Sequence, residues 1–193
     1  MRSAKLSRTT GETEITMTLT LDSGEGRLSG STGIGFFDHM LNSFCTHGCF
    51  NLALEMQGDL FVDGHHTVED VGIVLGQLFA EILGDKRGIA RFGDSLVPMD
   101  ESLARAVVDI SGRPYLVFDA DPTAPMVGAY DTQLTKEFFR ALAYNMGATL
   151  HLSLLYGDNE HHRCEALFKA AARAISQASK ITGETVLSTK GVL

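Results

Sequence analysis

Residues 63–72 read "DGHHTVEDVG" and residues 159–168 read "NEHHRCEALF". Both stretches contain His-His-x-x-Glu. The copies begin at His65 and His161, half a chain apart in a sequence of 193 residues. That offset points to an internal duplication, and the flanking sequence supports it. Before the first copy, "EITMTLTLD" alternates strictly, Ile15, Met17, Leu19 and Leu21 against Thr16, Thr18 and Thr20, as a half-buried strand does. "FFDHMLNSFCTHG" reads as a helix closed by Gly48, "FNLALEMQGD" as a strand, and "TVEDVGIVLGQLFAEILG" as a helix ending at Gly84. The second half repeats the order. Residues 102–119 form two strands about a Ser-Gly-Arg-Pro turn, "TQLTKEFFRALAYNMG" a helix, "TLHLSLLYGD" a strand, and the Ala-rich run from His161 a final helix. Gly58-Asp59 falls on Gly157-Asp158. The expected fold is α+β, an internally duplicated two-layer βαβ-rich domain. Each half, roughly 1–96 and 97–193, is a mostly antiparallel sheet with two helices on one face.

Composition narrows the function classes. At 44% hydrophobic the chain has ample material for a core. A formal charge of −8 supplies no broad basic surface, so nucleic acid and anionic membrane are not expected partners, whereas a small anionic ligand needs only a few placed cations. Cys45, Cys49 and Cys164 follow no disulfide spacing and read as reduced thiols. The first residues lack an apolar targeting segment, and no stretch approaches the roughly 20 apolar residues of a span. A soluble, cytoplasmic protein is expected.

On a helix, residues i and i+4 share a face, whereas i and i+1 diverge by about 100°. His65 with Glu69, and His161 with Glu165, can therefore each grip one ion, leaving His66 and His162 to point elsewhere. A two-fold relation suggests that each ion takes a pair from one copy and the spare His from the other: His161, Glu165 and His66 at site one, His65, Glu69 and His162 at site two. His39 precedes the helix-ending Gly48 by nearly the interval that separates Glu137 from Gly147, which adds His39 to site one and Glu137 to site two. Imidazole and carboxylate ligands without thiolate fit Mn, Fe, Zn or Ni, the carboxylates leaning toward the harder ions. A single such motif is more often a solvated helix start; four of the seven histidines in two matched copies are not. Glu137 could equally be a helix N-terminal carboxylate stabilised by the macrodipole. His151 is most simply the polar face of a strand, and His47 a helix-end residue.

At these residues the sequence resembles the imidazoleglycerol-phosphate dehydratase family, through "GIGFFDHML", "THGCF", "HHTVED", "GIARFGD", "SGRPY", "HHRCEALFKA" and "STKGVL" in the family's order over nearly the whole chain. The resemblance implies a hydro-lyase of histidine biosynthesis acting on a small phosphorylated imidazole. It also implies two Mn2+ per active site and a homo-oligomer of about 24 subunits with metal sites at their contacts. The chemistry follows from the substrate: its C–H is not acidic and hydroxide leaves poorly. A metal-bound imidazolate can expel hydroxide to give a diazafulvene, whose adjacent C–H a base then removes. The resemblance assigns that base to Glu12 in "TTGETEI". Phosphate candidates are Arg91, Arg113 and the tail residues Ser188, Thr189 and Lys190, with His47 in the pocket wall. Two departures stand out: several members carry His where Glu137 stands, and Asp often stands where this chain has Gly64. The competing readings are a dimetal hydrolase, a metal-storing or metal-stapled shell, and a four-helix di-iron carboxylate protein, against which the alternating strands count.

Overall fold

The computed structural model describes residues 1–193. The first half runs β1 (Arg2–Thr9), β2 (Thr13–Leu21), β3 (Arg27–Ser29), α1 (Gly35–Gly48), β4 (Asn51–Gly58) and α2 (His65–Leu83). The second runs β5 (Phe92–Met99), β6 (Ser102–Asp109), β7 (Tyr115–Asp119), the short hairpin β8 (Met126–Val127) and β9 (Tyr130–Asp131), α3 (Leu134–Met146), β10 (Thr149–Tyr156) and α4 (Glu160–Ser179). Setting that hairpin aside, both halves read β-β-β-α-β-α, one strand more than the sequence reading found. Their sheets share one topology, β1-β2-β4-β3 and β5-β6-β10-β7. Pairing is antiparallel except at the last edge, where β3 runs parallel to β4 and β7 to β10.

The alternation of β2 is realised in full: Ile15, Met17, Leu19 and Leu21 are buried. β1 and β5 are edge strands. β1 carries Arg2, Lys5 and Arg8, and β5 contains Pro98, both features that discourage further pairing. The left-handed residue that ends α1 is Cys49 (φ 57°), not the expected Gly48. Gly48 is needed for another reason: a Cβ there would stand 2.2 Å from the Phe50 ring.

Each sheet carries helices of its own half on one face, and the halves join helix to helix, α1 on α4 and α2 on α3. The α2–α3 seam is close because Gly72 and Gly76 face it. A Cβ on Gly76 would meet the Leu142 carbonyl oxygen at 2.6 Å, and one on Gly72 the Phe138 carbonyl oxygen at 2.8 Å. On the other side, the alanines of α4 let β5 approach until a Cβ on Gly93 would lie 2.0 Å from the Ala174 carbonyl oxygen. One continuous apolar core results, with the rings of Phe37, Phe138, Phe139 and Phe168 packed together across the join. Function-bearing residues on α1 thus face α4, and those on α3 face α2. No helix is long and apolar enough to cross a membrane.

Candidate metal centre and anion clamp

Both His-His pairs occupy a first helical turn, where backbone N–H groups lack intrahelical acceptors. Asn159 caps α4, its Oδ1 accepting from the N–H groups of His161 and His162. At α2 the same service comes from Asp63, whose Oδ1 accepts from the His65 N–H at 2.8 Å. The preceding Gly64 leaves room for Ile34, whose Cδ1 would lie 2.9 Å from any Cβ at that position. Asp63 therefore supplies a carboxylate one step before Gly64.

His39, on α1, meets His161 and Glu165, on α4, across the join between halves. Glu165 Oε2 lies 3.4 Å from His39 Nε2 and 3.3 Å from His161 Nε2. These three residues form the one group whose donor atoms all lie within 4.8 Å of one another. The Phe36 ring packs edge-on against His161 with centroids 5.0 Å apart and limits its rotation. Glu165 Oε1 accepts from Lys169 Nζ at 2.7 Å. Burial alone would raise the Glu165 pKa, but the hydrogen bond and charge of Lys169, with His39, outweigh it and hold the carboxyl below its ordinary value. The i, i+4 spacing of Glu165 and Lys169 is the sequence signal for this contact.

The partner group on α2 and α3 is arranged differently. His65 Nε2 is 3.7 Å from Glu69 Oε2. Glu137 does sit on the helix packed against this pair, but Arg140 stands between, 2.6 Å from Glu137 Oε2 and 3.2 Å from Glu69 Oε1. The carboxylate expected as a fourth ligand is thus engaged by a guanidinium, which the i, i+3 spacing of Glu137 and Arg140 foreshadows.

Neither spare histidine joins the opposite pair within the chain. His66 is held by Asp59, with Nδ1 2.9 Å from Oδ2, and its Nε2 lies 3.5 Å from Glu12 Oε1. His162 is held by Glu101, with Nδ1 2.7 Å from Oε2, and its Nε2 lies 3.7 Å from Asp100 Oδ2. Hydrogen bonds to those carboxylates raise the pKa of both rings. Glu12 occupies the β1–β2 turn. Its N–H donates to Thr10 Oγ1, and its carbonyl accepts from the Asp59 N–H. The next residue, Thr13, donates its hydroxyl to buried Asp70, which also pairs with Arg8.

The cationic candidates gather elsewhere. Arg91 pairs with Asp109 through Nε and Nη2, at 2.7 and 3.1 Å. Its Nη1 donates to the Leu187 carbonyl at 2.7 Å, which fixes the start of the tail. Arg91 has φ 69°, a strained conformation for a residue with a Cβ, stabilised by these three bonds. Arg113 reaches the same Asp109 at 3.7 Å and remains two-thirds exposed. Ser188 turns the tail by accepting the Lys190 N–H on its hydroxyl and the Gly191 N–H on its carbonyl, and Leu193 comes to rest against Gly112. Ser188, Thr189 and Lys190 are thus folded back beside Arg91 and Arg113, and no residue of this cluster bonds to His39, His161 or Glu165. His47, in the last turn of α1, faces Lys169 and Arg173. Burial, then the charge of Lys169, lowers its pKa. Cys164 lies between two candidate ligands, yet burial pushes its thiol up to about 12, a range that disfavours the reactive thiolate.

Comparison with known proteins finds relatives along the whole chain. The family model described as Imidazoleglycerol-phosphate dehydratase matches residues 32–175. A protein of that name from Lacticaseibacillus casei (strain BL23) is 56% identical over the full length of both chains, and one from Methanosarcina mazei is 55% identical, again at full length. The crystal structure of the Staphylococcus aureus enzyme of the same name superposes with a TM-score of 0.84 at 43% identity, covering 93% of this chain and 99% of that one. A Pyrococcus furiosus structure, described as a complex with (S)-C348, gives 0.84 at 36% identity, covering 97% and 100%.

Proposed function

The chain belongs to the imidazoleglycerol-phosphate dehydratase family of hydro-lyases, and from that premise we propose that it carries out the metal-dependent removal of water from imidazole glycerol phosphate, yielding imidazole-acetol phosphate in histidine biosynthesis. The observation that carries the metal part of the reading is the convergence of His39, His161 and Glu165 on one point, two imidazoles and a carboxylate with no thiolate. That donor set fits a hard or borderline divalent ion such as Mn2+. Site one would use these three with a spare His66; site two would use His65 and Glu69 with a spare His162, and with Glu137 if Arg140 releases it. When bound, the two ions supply the positive charge that makes the substrate's azole anionic and electron-donating.

The spare rings do not reach either pair of their own chain. Complete sites then require a neighbouring copy, which supports metal sites at subunit contacts in a closed assembly of about 24 copies. The remaining work falls to this chain's side chains. The Glu12 carboxylate, close to His66, accepts the proton from the carbon beside the one that loses hydroxide. Arg113 and Lys190 supply the cations for the phosphate, and the hydroxyls of Ser188 and Thr189 supply donors. Arg91, committed to Asp109 and Leu187, sets the shape of the clamp.

The test is direct. Purified protein incubated with imidazole glycerol phosphate and Mn2+ should form the ketone, stop when a chelator is added, and resume on metal return. Ketone formation unaffected by complete metal removal would overturn the metal reading, and no ketone under any metal would overturn the activity. The clamp makes a separate prediction. Truncation after Leu187 should raise the KM for the phosphorylated substrate at least about 100-fold, as expected for loss of several charge-assisted contacts worth roughly 1.5–3 kcal/mol each. Unchanged kinetics would rule the clamp out.

A further inference from the structure

The duplication leaves one asymmetry that neither the motif nor the topology requires. In the first half, the carboxylate on His66 Nδ1 is Asp59, just after β4. The equivalent residue after β10 is Asp158, yet its side chain does not hold His162; its N–H donates to Glu101 instead. Glu101, in the β5–β6 turn, takes the role by reaching His162 Nδ1 at 2.7 Å. That carboxylate is heavily committed. It also accepts from the N–H groups of Asp158 and Asn159, at 3.2 and 2.8 Å, and from the Ser102 hydroxyl at 2.9 Å. Asn159 in turn caps α4 on the N–H groups of His161 and His162. A single side chain therefore ties a hairpin turn, a helix cap and an imidazole together, whereas the Asp59 side chain makes only the imidazole contact.

An ionised carboxylate can only accept hydrogen bonds, so the Nδ1 facing it must carry the hydrogen. The neutral ring is then fixed as the tautomer whose lone pair is on Nε2. In both halves that Nε2 is the nitrogen with no close hydrogen-bond partner, its nearest carboxylate oxygen being 3.5 or 3.7 Å away. Carboxylates behind metal-binding imidazoles set ring heading and basicity in this manner.

We propose that Asp59 and Glu101 are matched positioning residues, recruited from non-equivalent points of the two repeats, that lock His66 and His162 in the Nδ1–H tautomer and present each Nε2 to a divalent cation. The inference rests on the metal reading above, and the tautomer half of its test needs no metal. In metal-free, 15N-histidine-labelled full-length protein above the titration range, NMR should report His66 and His162 as Nδ1–H. Asp59→Ala should release His66 alone into a tautomer mixture. Glu101→Gln should do the same to His162 alone, because an amide can donate as well as accept. If Glu101→Gln loosens α4, Glu101→Asp, which keeps the charge but shortens the reach, reports the same ring. In metal titrations followed by the electron paramagnetic resonance of free Mn2+, each variant should weaken one class of site about 10–100-fold and leave the other near wild type. Unchanged tautomers, or shifted tautomers with unchanged Mn2+ affinity, would overturn the proposal. Wild-type protein that takes up no Mn2+ would bring down the metal reading instead, and the tautomer signals tell the two failures apart.

Discussion

Glu12→Gln should lower kcat by about 10²–10⁴-fold, the range expected when a positioned general base is lost. The KM and the bound Mn2+ should stay near wild type. The expectation is sharp because the surroundings of Glu12 are over-determined. Its turn is pinned at Thr10, at Asp59 and, through Thr13, at the buried Asp70. Glutamine keeps the size and hydrogen-bonding outline of the side chain and removes only its ability to take a proton. A variant with kcat within tenfold of wild type at saturating substrate would remove Glu12 from the chemistry. Asp70 makes the first repeat special here. The corresponding position in the second is Ala166, so the β5–β6 turn lacks this anchor and depends on Glu101.

Arg163→Met should cost about 3–5 kcal/mol of stability, as removing one partner of a buried ion pair does. At roughly 2–4 °C per kcal/mol for a chain of this size, the Tm should fall by about 6–20 °C. Arg163 follows the spare His162 on the first turn of α4 and is nine-tenths buried. Its Nε pairs with Glu160 at 3.1 Å, and its Nη atoms donate to the carbonyls of Gly157 and Asp121, at 2.8 and 2.6 Å. Methionine fills a similar volume, so the loss isolates the polar contacts rather than a cavity. Glu160 retains Thr123, whose N–H and hydroxyl both donate to it, which bounds the damage. Differential scanning calorimetry on the purified protein measures the shift, and a change under 2 °C would show that the three contacts contribute little.

What could be read from residues alone, and what could not, divides along a physical line. Local periodicity revealed β2, β4, β10 and all four helices, because each buries one face and so carries a period of 2 or 3.6. β5 escaped notice because its interior holds Gly93, Asp94, Ser95 and Pro98, residues chosen by the close approach of α4 and by an edge position. β3 and the β8–β9 hairpin are too short for any period to show. The motif gave the His65–Glu69 and His161–Glu165 pairs, since i, i+4 is a local relation. It could not reveal that His39 meets them across the join, although counting back from the helix ends suggested it. Nor could it show that the spare rings stay with carboxylates of their own half. Asp59 and Glu101 are set by loop geometry with no sequence period. Arg140 and Lys169 follow the same local spacing as the His–Glu pairs, at i, i+3 from Glu137 and i, i+4 from Glu165, and opposite charge at that spacing is their signal in the sequence.

The exchange of helix partners, α1 with α4 and α3 with α2, means that neither repeat covers its own apolar surface. Severed at the loop between Gly84 and Gly88, each would be a half-built object whose missing complement is a molecule much like itself. The chain is in effect a tethered homodimer, and the tether costs little to lengthen, since closure entropy grows only with the logarithm of loop length. A nicked or lengthened junction should thus be tolerated far better than its central position suggests, provided the strand bridge from Ile89 to Ile181 is left in place.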